Sequence, residues 1–99
     1  MFARVITLET TDDQHAEGVR LVVEELLPWA RESTGFRGLI GLDDRTAGKS
    51  LVLTLWVSEE SLRASFDAAD RLSALGAETT GATRRSIEEY EVTVFDVDA

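Results

Sequence analysis

His15 is the one imidazole in this 99-residue chain, and imidazole is the side chain whose ordinary pKa lies nearest neutrality. Its place just after Thr11-Asp12-Asp13-Gln14 makes it an exposed residue of a helix's first turn. General acid–base work beside a sheet would then fall to carboxylates, Arg4 or Tyr90. The carboxylates at Glu24 and Glu25 and at Asp67 and Asp70 lie in helical stretches and read as solvated faces. With no cysteine in the chain, thiolate chemistry, disulfides and Cys-based metal sites are excluded. No His or carboxylate cluster falls on one face, so no metal is expected. Gly35, Gly38 and Gly41 do not open a helix, so they make no phosphate loop. The remaining candidates are Trp56, Thr54 and Arg4, all in strand-like stretches. Trp56 is either a flat wall for an apolar ligand or the filler of a core. An inward-facing Arg4 must find an anion, a ligand or a carboxylate such as Asp96 or Glu91; facing outward it is a solvated charge.

The elements that position these residues follow from periodicity. Residues 2–9 are β-branched and apolar and read as a strand. Thr11 and Gln14 form a capping box, with two aspartates at the positive end of the helix dipole. Ala16, Val19, Val22, Val23, Leu26, Leu27 and Ala30 give one apolar stripe, so the helix runs over about 12–33. Pro28 predicts a kink within that helix rather than two helices, and Gly35 serves as its C-terminal cap. Residues 36–43 and 49–57 form a hairpin around the polar turn 44–48. Ser58 caps a second helix carrying Leu62, Phe66, Ala69, Leu72 and Leu75, which Gly76 and Gly81 weaken toward its end. A polar stretch leads to a last strand over Tyr90–Val97. The order is β-α-β-β-α-β over a single domain, residues 1–99. It predicts a ferredoxin-like α+β fold: a four-stranded antiparallel sheet with two helices on one face.

Such a sheet has one face too many. Leu51, Leu53, Leu55 and Val57 alternate with Val52, Thr54 and Trp56, so both sides of the third strand are apolar. The first strand and the last stretch show the same double character. Four strands of about seven residues present a face of about 440 Å², a size that marks an interface. A two-fold dimer, sheet on sheet, is the self-complementary solution. A loop over 77–88 folding across the face is the alternative. In the dimer, Trp56, Thr54 and Val52 are expected to point into the space between the sheets.

Formal net charge is −9. The average field repels nucleic acid and anionic lipid, so neither is an expected partner; excess Asp and Glu also keep a small protein dispersed. The start of the chain shows no basic-then-apolar leader and no segment long enough to span a membrane, so a cytoplasmic location is expected.

The chain resembles the dimeric α+β barrel superfamily, and within it the antibiotic-biosynthesis-monooxygenase-like domains. The resemblance spans nearly its whole length and rests on three stretches. These are Leu27-Pro28-Trp29-Ala30-Arg31 with Gly35-Phe36-Arg37-Gly38; Thr54 through Arg63; and Tyr90-Glu91-Val92. It implies a homodimer and a monooxygenase-like activity: cofactor-independent oxidation of a small aromatic molecule. The alternative is a non-catalytic dimeric module that binds a small ligand or builds an assembly. Haem-degrading relatives carry an Asn on the first strand, a Trp ending the third and a His ten residues later. Here those positions hold Arg4, Trp56 and Phe66, so no haem, and no other cofactor, is expected. The implied ligand site lies beside Trp56, walled by Thr54 and Phe66 and reached by Arg4. No catalytic residue is identified.

Overall fold

A computed structural model describes residues 1–98. Strand β1 (Phe2–Glu9) leads into α1 (Asp12–Leu21), a π-helical turn (Val22–Leu26) and α2 (Leu27–Glu32). The hairpin β2 (Phe36–Asp44) and β3 (Lys49–Trp56) follows, then α3 (Glu59–Ala64), α4 (Phe66–Thr80) and β4 (Thr83–Glu91). The sheet order is β2-β3-β1-β4, with every neighbouring pair antiparallel. The helices pack on one face. This is the ferredoxin-like α+β fold that the element order predicts.

Pro28 acts one turn earlier than a simple kink would suggest. It has no N–H to donate and its ring crowds the preceding turn. The helix absorbs this by widening over Val22–Leu26, where the Leu27 N–H bonds the Val22 carbonyl. Such single π turns are a known way for a helix to take up strain. The second helix also breaks, at Ser65, whose hydroxyl bonds back to the Leu62 carbonyl at 2.7 Å.

The last strand corrects the sequence reading. It is Thr83–Glu91, not Tyr90–Val97, and the expected loop over 77–88 is instead the end of α4, a turn at Gly81 and the start of β4. Gly81 adopts φ 83° and ends α4, so the chain turns at once into the sheet. The sequence Thr-Arg-Arg-Ser-Ile-Glu-Glu-Tyr-Glu has few apolar residues because β4 is an edge strand, where charge guards an open ladder. The apolar stretch that looked like a strand, 92–97, has no regular structure.

The facing of the sheet is a second correction. Ile6 and Val52 share a core with Leu26, joined by Val22, Trp29 and Leu72 from the helices. The even-numbered side of β3, with Val52, Thr54 and Trp56, therefore faces the helices. Trp56 and Thr54 do not point into a space between two sheets. The free face of the sheet carries Val5, Leu51, Leu53, Leu55, Ile40 and Leu42 instead. The third strand is apolar on both faces, and period-two alternation alone does not say which side is which.

Candidate functional site

The helix layer and the sheet are packed tightly at one end and part at the other. At the closed end Trp56 is fully buried. Trp29 of α2 leans on it at 6.2 Å between ring centroids, and Phe36 meets it edge-on at 5.7 Å. Its indole N–H donates to Thr54 Oγ1 at 2.9 Å.

Arg4 lies beside it, 0% exposed. Its guanidinium sits 5.9 Å from the Trp56 ring and 5.6 Å from the Phe66 ring, a cation held between two π faces. Arg4 Nη1 donates to Ser65 Oγ at 2.9 Å; Nη2 donates to the Leu62 carbonyl at 2.7 Å and to Glu89 Oε2 at 2.8 Å. Nε alone has no partner among the described residues. The inward-facing alternative thus holds for Arg4, with Glu89 as its anion rather than Asp96 or Glu91. A buried charge needs such a set of acceptors to exist at all. The structure brings Arg4, Thr54, Trp56 and Phe66 into one cluster.

At the other end a cavity of about 430 Å³ opens between α1, α4 and the sheet. Its floor is Ile6, Leu8, Leu39 and Val52; Val22, Leu26 and Leu72 wall it from the helices. None of the four predicted site residues lines it, although Thr54 stands opposite Leu39 in the strand register and so abuts its floor. The cavity has a local cause. Gly18, Gly41 and Gly76 all line it, and a Cβ at any of them would meet nothing within 4 Å. Helix α1 in consequence stands off the sheet and has no fully buried residue. Val19 and Val23, counted on for the apolar stripe, remain half exposed.

Five of the polar lining residues gather where β1 ends, β3 begins and α1 starts: Thr10, Gln14, His15, Asp43 and Ser50; Glu25, Ser73 and Thr80 lie on the helices. His15 is therefore not merely an exposed helix-start residue; its side chain is 22% exposed and its Nδ1 lies 3.4 Å from Asp43 Oδ1. Sequence reasoning missed this pairing because the partners are 28 positions apart and meet only through the hairpin. The one usable signal was that Asp43 ends a strand that runs back beneath the helix start. Tyr90, the other acid–base candidate, lies on the free face. The adjacent Glu88 accepts from its hydroxyl and raises its pKa above the ordinary phenol value, away from work near neutrality. Among the described residues no group of three His, Cys, Asp or Glu could hold a metal, and no helix is long and apolar enough to cross a membrane.

The chain is a helix-covered ferredoxin-like sheet with a cavity under its first helix. No family model matches the sequence, and neither does any curated protein. Solved structures do match. A candidate antibiotic biosynthesis monooxygenase from Deinococcus radiodurans is similar with a TM-score of 0.75 at 16% identity, over 100% of both chains. The monooxygenase from ActVA-Orf6 of Streptomyces coelicolor, solved with nanaomycin D, is similar with a TM-score of 0.68 at 20% identity, over 99% of this chain and 92% of that one. A dimeric ferredoxin-like protein from an uncultured marine organism gives 0.68 at 8% identity, over 98% of each chain. At these identities the likeness is one of fold.

Proposed function

We propose that this domain is a homodimeric, monooxygenase-like protein whose cavity takes up a small, flat, largely apolar molecule, aromatic in character, for oxidation by molecular oxygen without metal or haem. The cavity under α1 carries this reading. A pocket of 300–1,000 Å³ with apolar walls and a few polar groups at one end is the usual form of a small-ligand site. The similar Streptomyces coelicolor monooxygenase, solved with nanaomycin D, supports the direction. In cofactor-free oxidation the substrate is itself the reductant: an activated methylene becomes a carbonyl, and the second oxygen atom leaves as water.

A ligand titration tests it. With anthrone or 2-naphthol as probe, amide shifts should concentrate at Leu26, Leu39, Val52 and Leu72, and Gly41→Leu should abolish them by filling the space. Shifts confined to the free sheet face, or none, would overturn the reading.

The dimer rests on the free face and the tail. Ile40, Leu42 and Val57 are each more than 40% exposed on one side of the hairpin or just past its end, and Val94, Phe95 and Val97 are exposed beyond β4. The Val92 N–H bonds the Met1 carbonyl at 2.9 Å, after which the tail continues without regular structure. Both surfaces are covered when two sheets meet face to face. Light scattering should give about twice the 10.9 kDa chain mass, and Leu53→Asp should halve it; a wild-type monomer at micromolar concentration would sink the dimer. The second reading, a ligand-binding module without turnover, is favoured by one observation: both terminal nitrogens of Arg4 and the Trp56 indole N–H are engaged in internal hydrogen bonds. Oxygen uptake with a bound, oxidisable probe separates the two.

A further inference from the structure

The roof of the cavity is its least secured wall. Helix α1 supplies Gln14, His15, Gly18, Val19 and Leu21 to the lining, yet none of its 10 residues is fully buried. A helix of that length does not hold itself in water: isolated helices shorter than about 12–15 residues are marginal even with good sequences. This sequence is not a good one. Gly18 stands in mid-helix, where glycine is among the poorest helix formers. A Cβ there would meet nothing within 4 Å, so no close contact requires the glycine.

Both ends of α1 are built so that it can melt alone. Toward its C-terminus the hydrogen-bond ladder changes spacing over Val22–Leu26, where the Leu27 N–H bonds the Val22 carbonyl, and Pro28 has no N–H to give. Beyond that break the chain is anchored. Leu26 and Ala30 are buried, and Trp29 lies against Trp56 at 6.2 Å. A loss of helix that begins in α1 therefore meets the break before it meets the core. Toward its N-terminus α1 joins β1 through Thr10, whose N–H bonds the Gly48 carbonyl at 2.8 Å. A melted α1 stays tied to the β2–β3 turn and returns to its place.

What holds α1 down is polar and close to solvent. Arg45 Nη2 meets Asp12 Oδ1 at 3.3 Å, with both side chains more than half exposed. His15 Nδ1 lies 3.4 Å from Asp43 Oδ1. Pairs this near the surface contribute little. We propose that α1, residues 12–21, is the gate of the cavity. It unfolds locally, as a unit bounded by Thr10 and the π turn, while the sheet, α2 and α4 stay folded, and this opening is the route by which a ligand enters and leaves. Segments that admit ligands belong to the low-stability part of a fold. The inference rests on the cavity reading above and goes beyond it: Gly18 and the pairs at Arg45 and Asp43 set how often the route is open.

The test reads the opening and the route separately. In native-state hydrogen exchange, the amides of residues 18–21 should open at least about a hundredfold more often than those of Ala30 and Val52, with little dependence on urea, because a local opening exposes little surface. Gly18→Ala should slow that exchange about fivefold through helix propensity. Arg45→Gln combined with Asp43→Asn should speed it about fivefold, the worth of two weak pairs. With 2-naphthol as probe, line shapes of the Leu26 and Val52 amides give its association and dissociation rates. A gate scales both rates with its open fraction. Both should therefore fall about fivefold in Gly18→Ala and rise about fivefold in the double variant, with Kd unchanged. A side chain that only touches the probe would move Kd through the dissociation rate. If residues 18–21 exchange with the same free energy and urea dependence as Val52, α1 does not open alone and the proposal is overturned. It is equally overturned if Gly18→Ala slows exchange and leaves both probe rates as they were, while the cavity stands. If 2-naphthol shifts no cavity residue, the cavity reading falls and takes the route with it.

Discussion

The two ends of the space between sheet and helices are built from opposite materials. The end at Trp56 is filled by two indoles, two phenyl rings and a guanidinium, each against Trp56 or Arg4. The end at His15 is lined by three glycines that leave their Cβ directions empty. Both ends belong to one sheet and one helix layer. A charge sealed from water with every strong acceptor chosen for it is a fixed part of the fold. The imidazole of His15 stands at the edge of an open space with the Asp43 carboxylate 3.4 Å from its Nδ1. Burial and residue type alone would pick Arg4 and Trp56 as the site; the empty volume lies elsewhere.

The sharpest way to break the comparison is to hollow out the closed end. Trp56→Ala removes a fully buried indole from between Trp29 and Phe36. The loss of unfolding free energy should be about 3–5 kcal/mol, as for other large-to-small core changes. Urea denaturation checks it. A loss under about 1 kcal/mol, the range of ordinary surface changes, would mean that this end is not the rigid one.

A smaller effect follows at the ion pair. Glu89→Gln keeps the shape and removes the anion that faces Arg4. Leu62 and Ser65 still accept from the guanidinium, and Glu89 is 31% exposed, so solvent takes up part of the loss. A decrease of about 1–3 kcal/mol is expected. If the same substitution also abolished probe binding in the cavity, the two ends would be coupled and their contrast would fail.

Much of this was legible in the sequence, and the exceptions have physical causes. The helix stripe, the capping box, the hairpin and the order of elements all follow from local periodicity and turn chemistry. The last strand escaped because an edge strand trades apolar residues for charge, so Thr83–Glu91 looks like a loop and the apolar tail looks like a strand. The side of the sheet on which Trp56 lies escaped because β3 is apolar on both faces, Leu51, Leu53 and Leu55 alternating with Val52, Thr54 and Trp56. The clustering of Arg4, Thr54, Trp56 and Phe66 was anticipated, while their partners were not: Glu89 sits in the strand that was misplaced. The cavity escaped for a simpler reason. It is made of side chains that are absent, and Gly41 and Gly76 read from sequence as a strand position and a weak helix end.

That absence gives the last and smallest prediction, which separates two kinds of glycine. Gly35, beside the closed end, has φ 83° and would bring a Cβ to 2.5 Å from Ser61 Cβ; Gly35→Ala must lose stability, because L side chains are strained in that backbone region. Gly76 lies within α4, and a Cβ there meets nothing within 4 Å. Alanine is a better helix former than glycine by about 1 kcal/mol. Gly76→Ala should therefore stabilise the protein by about 0.5–1 kcal/mol, part of it by restricting the unfolded chain. A glycine that costs stability in a helix and touches nothing is retained by packing only if packing needs it, and here it does not. What it preserves is volume. Gly76→Leu, which extends into the cavity, should keep the fold and the Trp56 environment while weakening anthrone binding. Thermal melts of the alanine variant and titration of the leucine variant check the two halves. A Gly76→Ala protein less stable than wild type would show that the space under α4 is already filled.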